Sequence, residues 1–198
     1  MIFKDLKANI PVNDSVFDTI YPLKMQALAP FHFTPVAIAR VVAQYLVDKP
    51  NTRVLDIGSG TGKFCMVGAA CTNGFFTGVE YRKTLYSLAK RLAKRYELTN
   101  LEFINANITS IDFTKYNAFY FFNPFFENLK PDEKIDDTVE LSRHFFHTYA
   151  IFVKEQLERM PINTKLATYY SFLEEVPDSY QLQSMEMDGK LKMWLKTS

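Results

Sequence analysis

The sequence predicts an α/β fold, a doubly wound, mostly parallel seven-strand sheet with helices on both faces and a C-terminal antiparallel hairpin. Three observations carry that expectation. Short apolar runs (RVLDI, GFFTGVEY, LEFINANI, AFYFFN and KLATYYSF) alternate with longer helical stretches, and such alternation builds parallel sheets covered on both sides. RVLDI runs straight into the glycine cluster Gly58, Gly60 and Gly62, where a strand can turn tightly into a helix. The tail reads YQLQSMEM and LKMWLK around Asp188-Gly189, two alternating runs joined by a hairpin turn signal.

Residues 1–34 lack clear periodicity and carry prolines at 11, 22 and 30. They are expected to form a lead-in or lid segment with one short helix near residues 15–29. Residues 35–198 are expected to form the main domain. Thr34-Pro35 reads as a helix start, a capping hydroxyl before a proline whose missing N–H costs nothing there. The helix VAIARVVAQYLVD follows, and KPN stops it. KFCMVGAACT is apolar nearly all round, as in a helix buried against a sheet. KTLYSLAKRLAKRYEL places Leu85, Leu88, Leu92 and Tyr96 on one face. A long helix is expected over residues 138–159, before the fifth strand.

Composition narrows the class. The chain has 198 residues, 47% of them hydrophobic and 23% charged, which suits a single globular unit with a sizeable core. A net charge of +1 gives no global attraction to nucleic acid or anionic membrane. No run reaches the roughly eighteen apolar residues of a spanning helix, and Lys4, Asp5 and Lys7 break the apolar stretch that a signal peptide would need. Cys65 and Cys71 lack metal-like spacing and read as reduced packing residues in a cytoplasmic protein.

The glycine turn VLDIGSGTGKF is the strongest signal in the chain. A phosphate loop needs G-x-x-x-x-G-K-[ST], but residue 57 is Ile and Phe64 follows Lys63. The dinucleotide fingerprint G-x-G-x-x-G needs glycine at 63, where Lys63 stands. Asp56 followed by G-x-G-x-G instead resembles the first motif of the class I, seven-strand, Rossmann-like S-adenosylmethionine-dependent methyltransferases. In that superfamily the glycines make room for the methionine part and ribose, and the strand-end acid lies near the cofactor's ammonium group. The resemblance implies that Asp56, Gly58, Ser59, Gly60 and Gly62 hold S-adenosyl-L-methionine, whose product is S-adenosyl-L-homocysteine.

Two more strand ends agree. Glu80, 22 residues beyond Gly58, suits a carboxylate that accepts both hydroxyls of a ribose, a device that dinucleotide enzymes share. Tyr81 follows it. Asn107, with its neighbour Ile108, falls where many methyltransferases carry an aspartate facing the adenine amino group. An asparagine carbonyl accepts such a bond too.

In FYFFNPFFE, Asn123 ends the fourth strand, at the mouth of the expected cofactor cleft. The motif is similar to the [DN]-P-P-[YF] of methyltransferases acting on the amino groups of adenine, glutamine or cytosine. There, the asparagine side chain and the following carbonyl accept the N–H bonds of the acceptor. Phe125 replaces the second proline here. Asn123 is therefore the expected catalytic residue and a cofactor neighbour. Pro124, Phe125, Phe126, Glu127 and His32 are the expected substrate contacts. The Thr34-Pro35 helix, the GSG loop and the Asn-led motif also look similar, more loosely, to seven-strand protein-lysine methyltransferases.

The reaction so implied is in-line methyl transfer to an amine, a protein side chain before a nucleobase, with a small molecule also open. An NAD(P)-dependent oxidoreductase and a non-catalytic methyltransferase-like binding protein are the alternatives. His144 and His147, with Glu140 a turn earlier, have metal-like spacing but no third ligand; no metal is expected. Lys90, Arg91, Lys94 and Arg95 form a basic stripe, read as a solvated helix face before an RNA contact. Oligomeric state is not legible.

Overall fold

The computed structural model describes residues 1–198. Its sheet has seven strands in the order β3-β2-β1-β4-β5-β7-β6. In chain order these are β1 (Arg53–Ile57), β2 (Phe75–Glu80), β3 (Leu101–Asn105), β4 (Ala118–Phe122), β5 (Lys165–Tyr169), β6 (Tyr180–Glu186) and β7 (Leu191–Lys196). The first five pair in parallel, and β7 runs antiparallel between β5 and β6. Chain order reverses between β1 and β4, so the carboxyl ends of these neighbours flank the switch point where open α/β sheets bind ligands. The hairpin turn has Met187, Asp188 and Gly189 all at positive φ.

Seven α-helices and five short 3-10 turns complete the fold, the α-helices being α1 (Ile2–Lys7), α2 (Asp14–Phe17), α3 (Leu23–His32), α4 (Val36–Leu46), α5 (Lys63–Cys71), α6 (Lys83–Arg95) and α7 (Arg143–Glu158). Along β4, Ala118 and Tyr120 belong to one apolar cluster with α4 and α5, while Phe119 and Phe121 belong to another with α7. That two-residue alternation divides the core into two layers, one on each side of the sheet. Phe119, Tyr120 and Phe121 are each at most 1% exposed, so the first half of the aromatic block is strand core.

The N-terminal segment differs from the expected single helix. It forms three short helices, broken at Pro22, and Phe3, Leu6, Phe17, Tyr21 and Phe33 are buried in the same cluster as α4 and α5. Lys63 explains much of its placement. This buried lysine meets Asp14 at 2.7 Å and Asp18 at 2.6 Å, and its ammonium stands 5.4 Å from the centre of the Phe17 ring. Asp14 also accepts from Val36 N–H, capping α4. Thr34 therefore does not cap that helix; its hydroxyl hydrogen-bonds the buried Tyr120 hydroxyl at 2.7 Å. Helix α7 begins later than residue 138, because Ser142 accepts from Phe145 N–H and caps it there.

Candidate cofactor and acceptor site

A cavity of about 580 Å³ lies beyond the carboxyl ends of β1, β2, β4 and β5. Its floor is the glycine turn. Gly58, Gly60 and Gly62 all have positive φ, a region that disfavours side chains. Two of the three are hemmed in and one is not. A Cβ at Gly58 would press on Pro124 at 2.6 Å, and one at Gly62 would clash with Phe103. A Cβ at Gly60 would enter open space. Gly60 thus bares its backbone to the cavity, as close approach of a ligand requires.

Glu80 ties this turn to the end of β2. One carboxylate oxygen accepts from Gly60 N–H at 2.9 Å and the other from Arg82 N–H at 2.6 Å. Burial raises the Glu80 carboxyl above its ordinary value, and those two bonds pull it back. Each oxygen keeps a second lone pair. Asn107 stands across the cavity with Ile108. Its Oδ1 accepts from both the N–H and the hydroxyl of Thr109, and its amide donates to Tyr149. Contact of that carbonyl with an adenine amino group requires one of those local bonds to give way.

The fourth corner is Asn123, which has a left-handed backbone (φ 39°). Its buried Oδ1 has no hydrogen-bond partner, and no backbone N–H donates to the Pro124 carbonyl. Buried polar atoms are rarely left so. Phe125 is 7% exposed and packs on Tyr149, with ring centres 5.4 Å apart; it is a core residue with a cavity-facing edge. Phe126 and Glu127 line the cavity. Glu127 binds Arg82 at 2.5 Å, and Arg82 also binds Asp136 at 3.0 Å, so the segment after β4 is held over the site by one guanidinium. His32 reaches the same cavity, and burial lowers its pKa, favouring the neutral ring.

Of the expected site residues, Gly58, Gly60, Glu80, Tyr81, Asn107, Ile108, His32 and Asn123 through Glu127 share this cavity. Asp56, Ser59 and Gly62 stand behind it. Asp56 and Ser59 border a much smaller adjoining space with Thr34 and Tyr120. Burial pushes the Asp56 carboxyl up to about 7, while the Cys65 thiol, donating at 3.4 Å, pulls it down. Sequence reasoning missed Arg82, Tyr169, Tyr170 and Phe172, all on the cavity wall. Tyr169 ends β5 and Tyr170 follows it, so the strand-end rule that marked Asn123 also points to them.

A parallel sheet with a glycine turn after its first strand, a buried acid after its second and an open switch point defines a Rossmann-like nucleoside-binding protein. The comparisons narrow that class. Residues 48–137 match the family described as a methyltransferase domain. A 55-residue stretch is 40% identical to a tRNA (guanine-N(7)-)-methyltransferase of Prochlorococcus marinus (strain NATL2A), covering 27% of this chain and 26% of that relative. Among solved structures, TrmN from Thermus thermophilus aligns over 84% of this chain and 49% of its own, with 18% identity and a TM-score of 0.60. A SAM-dependent methyltransferase from Aquifex aeolicus aligns over 94% and 100%, with 14% identity and a TM-score of 0.55. An RNA methyltransferase from Salinibacter ruber, solved with S-adenosyl-L-homocysteine, aligns over 83% and 94%, with 16% identity and a TM-score of 0.55.

Residues 48–137 match the methyltransferase-domain family, and the chain as a whole has the fold of the class I S-adenosyl-L-methionine-dependent methyltransferase superfamily. S-adenosyl-L-methionine is the cofactor of that superfamily, and the residues present suit it: the bare Gly60 backbone and the buried acid Glu80 fit a nucleoside held close to the main chain. The dinucleotide alternative is set aside. No helix is long and apolar enough to cross a membrane.

Proposed function

We propose that this chain transfers a methyl group from S-adenosyl-L-methionine to an amine nitrogen, a protein side chain ahead of a nucleobase. The observation that carries the reading is the unpartnered Asn123 Oδ1 beside the Pro124 carbonyl, next to the glycine turn. When bound, the cofactor supplies a methyl group activated on a sulfonium. Gly58 and Gly60 would seat it, Glu80 would accept its ribose hydroxyls, and Asn107, Ile108 and Tyr81 would flank its base. Asn123 Oδ1 and the Pro124 carbonyl accept the N–H bonds of the incoming amine and turn its lone pair toward the methyl carbon. They also stabilise the positive charge that grows on nitrogen. Positioning and exclusion of water do the rest, with no covalent enzyme intermediate.

A second reading, a base nitrogen of RNA, is favoured by the match to a tRNA methyltransferase and by the exposed cations of α6. Calorimetry and labelled methyl transfer test the main reading. At about 100 times its dissociation constant the cofactor should stabilise the fold by about 2.7 kcal/mol, and NAD(P)H should not. Asn123→Ala should lower transfer about 100-fold with little change in cofactor affinity. Unchanged turnover in that variant would remove Asn123 from the mechanism. Cofactor binding without transfer to any acceptor would leave a binding protein.

A further inference from the structure

Beyond the residues that suit the cofactor, the cavity has a second wall that no motif announced. Phe122 and Tyr169, at the ends of β4 and β5, pack with ring centres 4.8 Å apart, and Tyr170 stands 4.7 Å from Tyr169 at a steep angle. Phe172 faces Phe126 at 6.2 Å. Tyr170 and Phe172 are 43% and 52% exposed. Both rings therefore keep a large aromatic surface within reach of a ligand. Tyr170 and Leu173 also have positive φ, and the Ser171 hydroxyl donates to Glu175 at 3.0 Å. The segment after β5 is thus a turn built to present aromatic rings rather than to bury them.

The charges lining the cavity beside this wall are mostly negative. Glu80, Glu127, Glu133 and Glu140 line the cavity, with Arg82 the sole cation among the lining residues. Arg82 is already bound by Glu127 and Asp136. No lysine lines the cavity. An electronegative mouth repels a phosphate backbone and attracts a cation, and aromatic faces attract ammonium groups as well. Tyr170 shows that affinity within the chain, with the Lys190 ammonium 5.2 Å from the ring centre.

We propose that the wall formed by Phe122, Tyr169, Tyr170 and Phe172 is the acceptor subsite, and that it takes an alkylammonium group, carried by a protein lysine or a free aliphatic amine. The proposal rests on the amine methyltransferase reading of the same site. The bound ammonium loses one proton to water at the cavity mouth. Its lone pair forms the new N–C bond as the C–S bond breaks. The bonding pair returns to sulfur, giving the neutral thioether S-adenosyl-L-homocysteine and an N-methylated alkylammonium, which leaves still protonated, so one proton is released per methyl transferred. The π faces favour this step because nitrogen becomes positive as the methyl arrives.

The test uses the full chain, labelled S-adenosyl-L-methionine and four acceptors: n-butylamine, a lysine-containing peptide, adenosine and unmodified transfer RNA. Label is expected in the amine, the peptide or both, and the two arms separate a free-amine from a protein substrate. Phe172→Ala, at an exposed position, should fold normally, bind S-adenosyl-L-homocysteine as the parent does, and raise the acceptor KM roughly tenfold. Glu133→Gln combined with Glu140→Gln should raise it further and weaken its dependence on salt. Label entering transfer RNA or adenosine and neither amine overturns the subsite while sparing methyl transfer itself. An unchanged KM in Phe172→Ala also overturns it. Label in none of the four, with cofactor still bound, overturns both readings.

Discussion

A Cβ on Gly58 would lie 2.6 Å from the Cβ of Pro124. The glycine turn after β1 and the Asn-Pro corner after β4 therefore touch with no room for a side chain between them. That contact sets Pro124, and with it the neighbouring Asn123, against the glycine turn. Gly58→Ala must displace Pro124 and hold alanine at φ 76°. Destabilisation of about 1–3 kcal/mol is expected, with loss of cofactor binding. Thermal melts and calorimetry check this, and wild-type affinity in the variant would show that the corner yields freely.

Lys63 anchors the N-terminal segment. Replacing it by Met leaves the largely buried Asp18 carboxylate without its cation. Removing one partner of a buried pair costs about 3–5 kcal/mol; Asp14 is half exposed, so a loss of about 2–3 kcal/mol is expected. Limited proteolysis should then cut first within residues 8–22. A variant that resists cleavage as the parent does would show that apolar packing alone holds the segment.

Arg82 holds the segment after β4 through Glu127 and Asp136. Arg82→Met should free residues 126–138, seen as faster amide exchange there, and weaken cofactor binding about tenfold through loss of order at Asn123. Arg82→Lys should restore only part, since a lysine cannot bridge two carboxylates with a planar fork. Unaltered exchange in the Met variant would discard this role.

Asp56 makes stability depend on pH. Burial lifts its carboxyl from 3.8 to about 7. Between these values the folded chain holds a proton that the unfolded chain has lost, so stability falls as pH rises through that window. The limit is about 4 kcal/mol over the full range, at 1.36 kcal/mol for each pH unit. Glu80, also raised by burial, adds in the same direction. The melting temperature of the cofactor-free protein should drop from pH 5 to pH 7.5, and Asp56→Asn should flatten the curve. A parent profile that rises over this range contradicts the assignment.

The sheet was largely legible because its signals are local. Apolar runs of strand length, the Asp188-Gly189 turn and the glycine cluster are each set by neighbours a few residues apart. The expectation of a single N-terminal helix, and of a Thr34 cap, went wrong for the opposite reason. Asp14 caps α4 from 22 residues away, and Thr34 bonds Tyr120 from 86 residues away. Lys63 read only as a defect in a dinucleotide motif, because Asp14 and Asp18 lie 49 and 45 residues before it.

By itself the sequence determined the fold class, which rests on short-range backbone needs (strand period, tight turns and residues that tolerate positive φ), and it pointed to the cofactor class through the resemblance of its glycine turn to a family motif. Only the tertiary structure decided that Asn123 Oδ1 lacks a partner, that Arg82 ties the segment after β4, and that Tyr169, Tyr170 and Phe172 share a wall with Phe122. Hydrogen-bond satisfaction and the meeting of side chains from separate strands are properties of packing. A linear pattern carries no record of which distant groups reach one another.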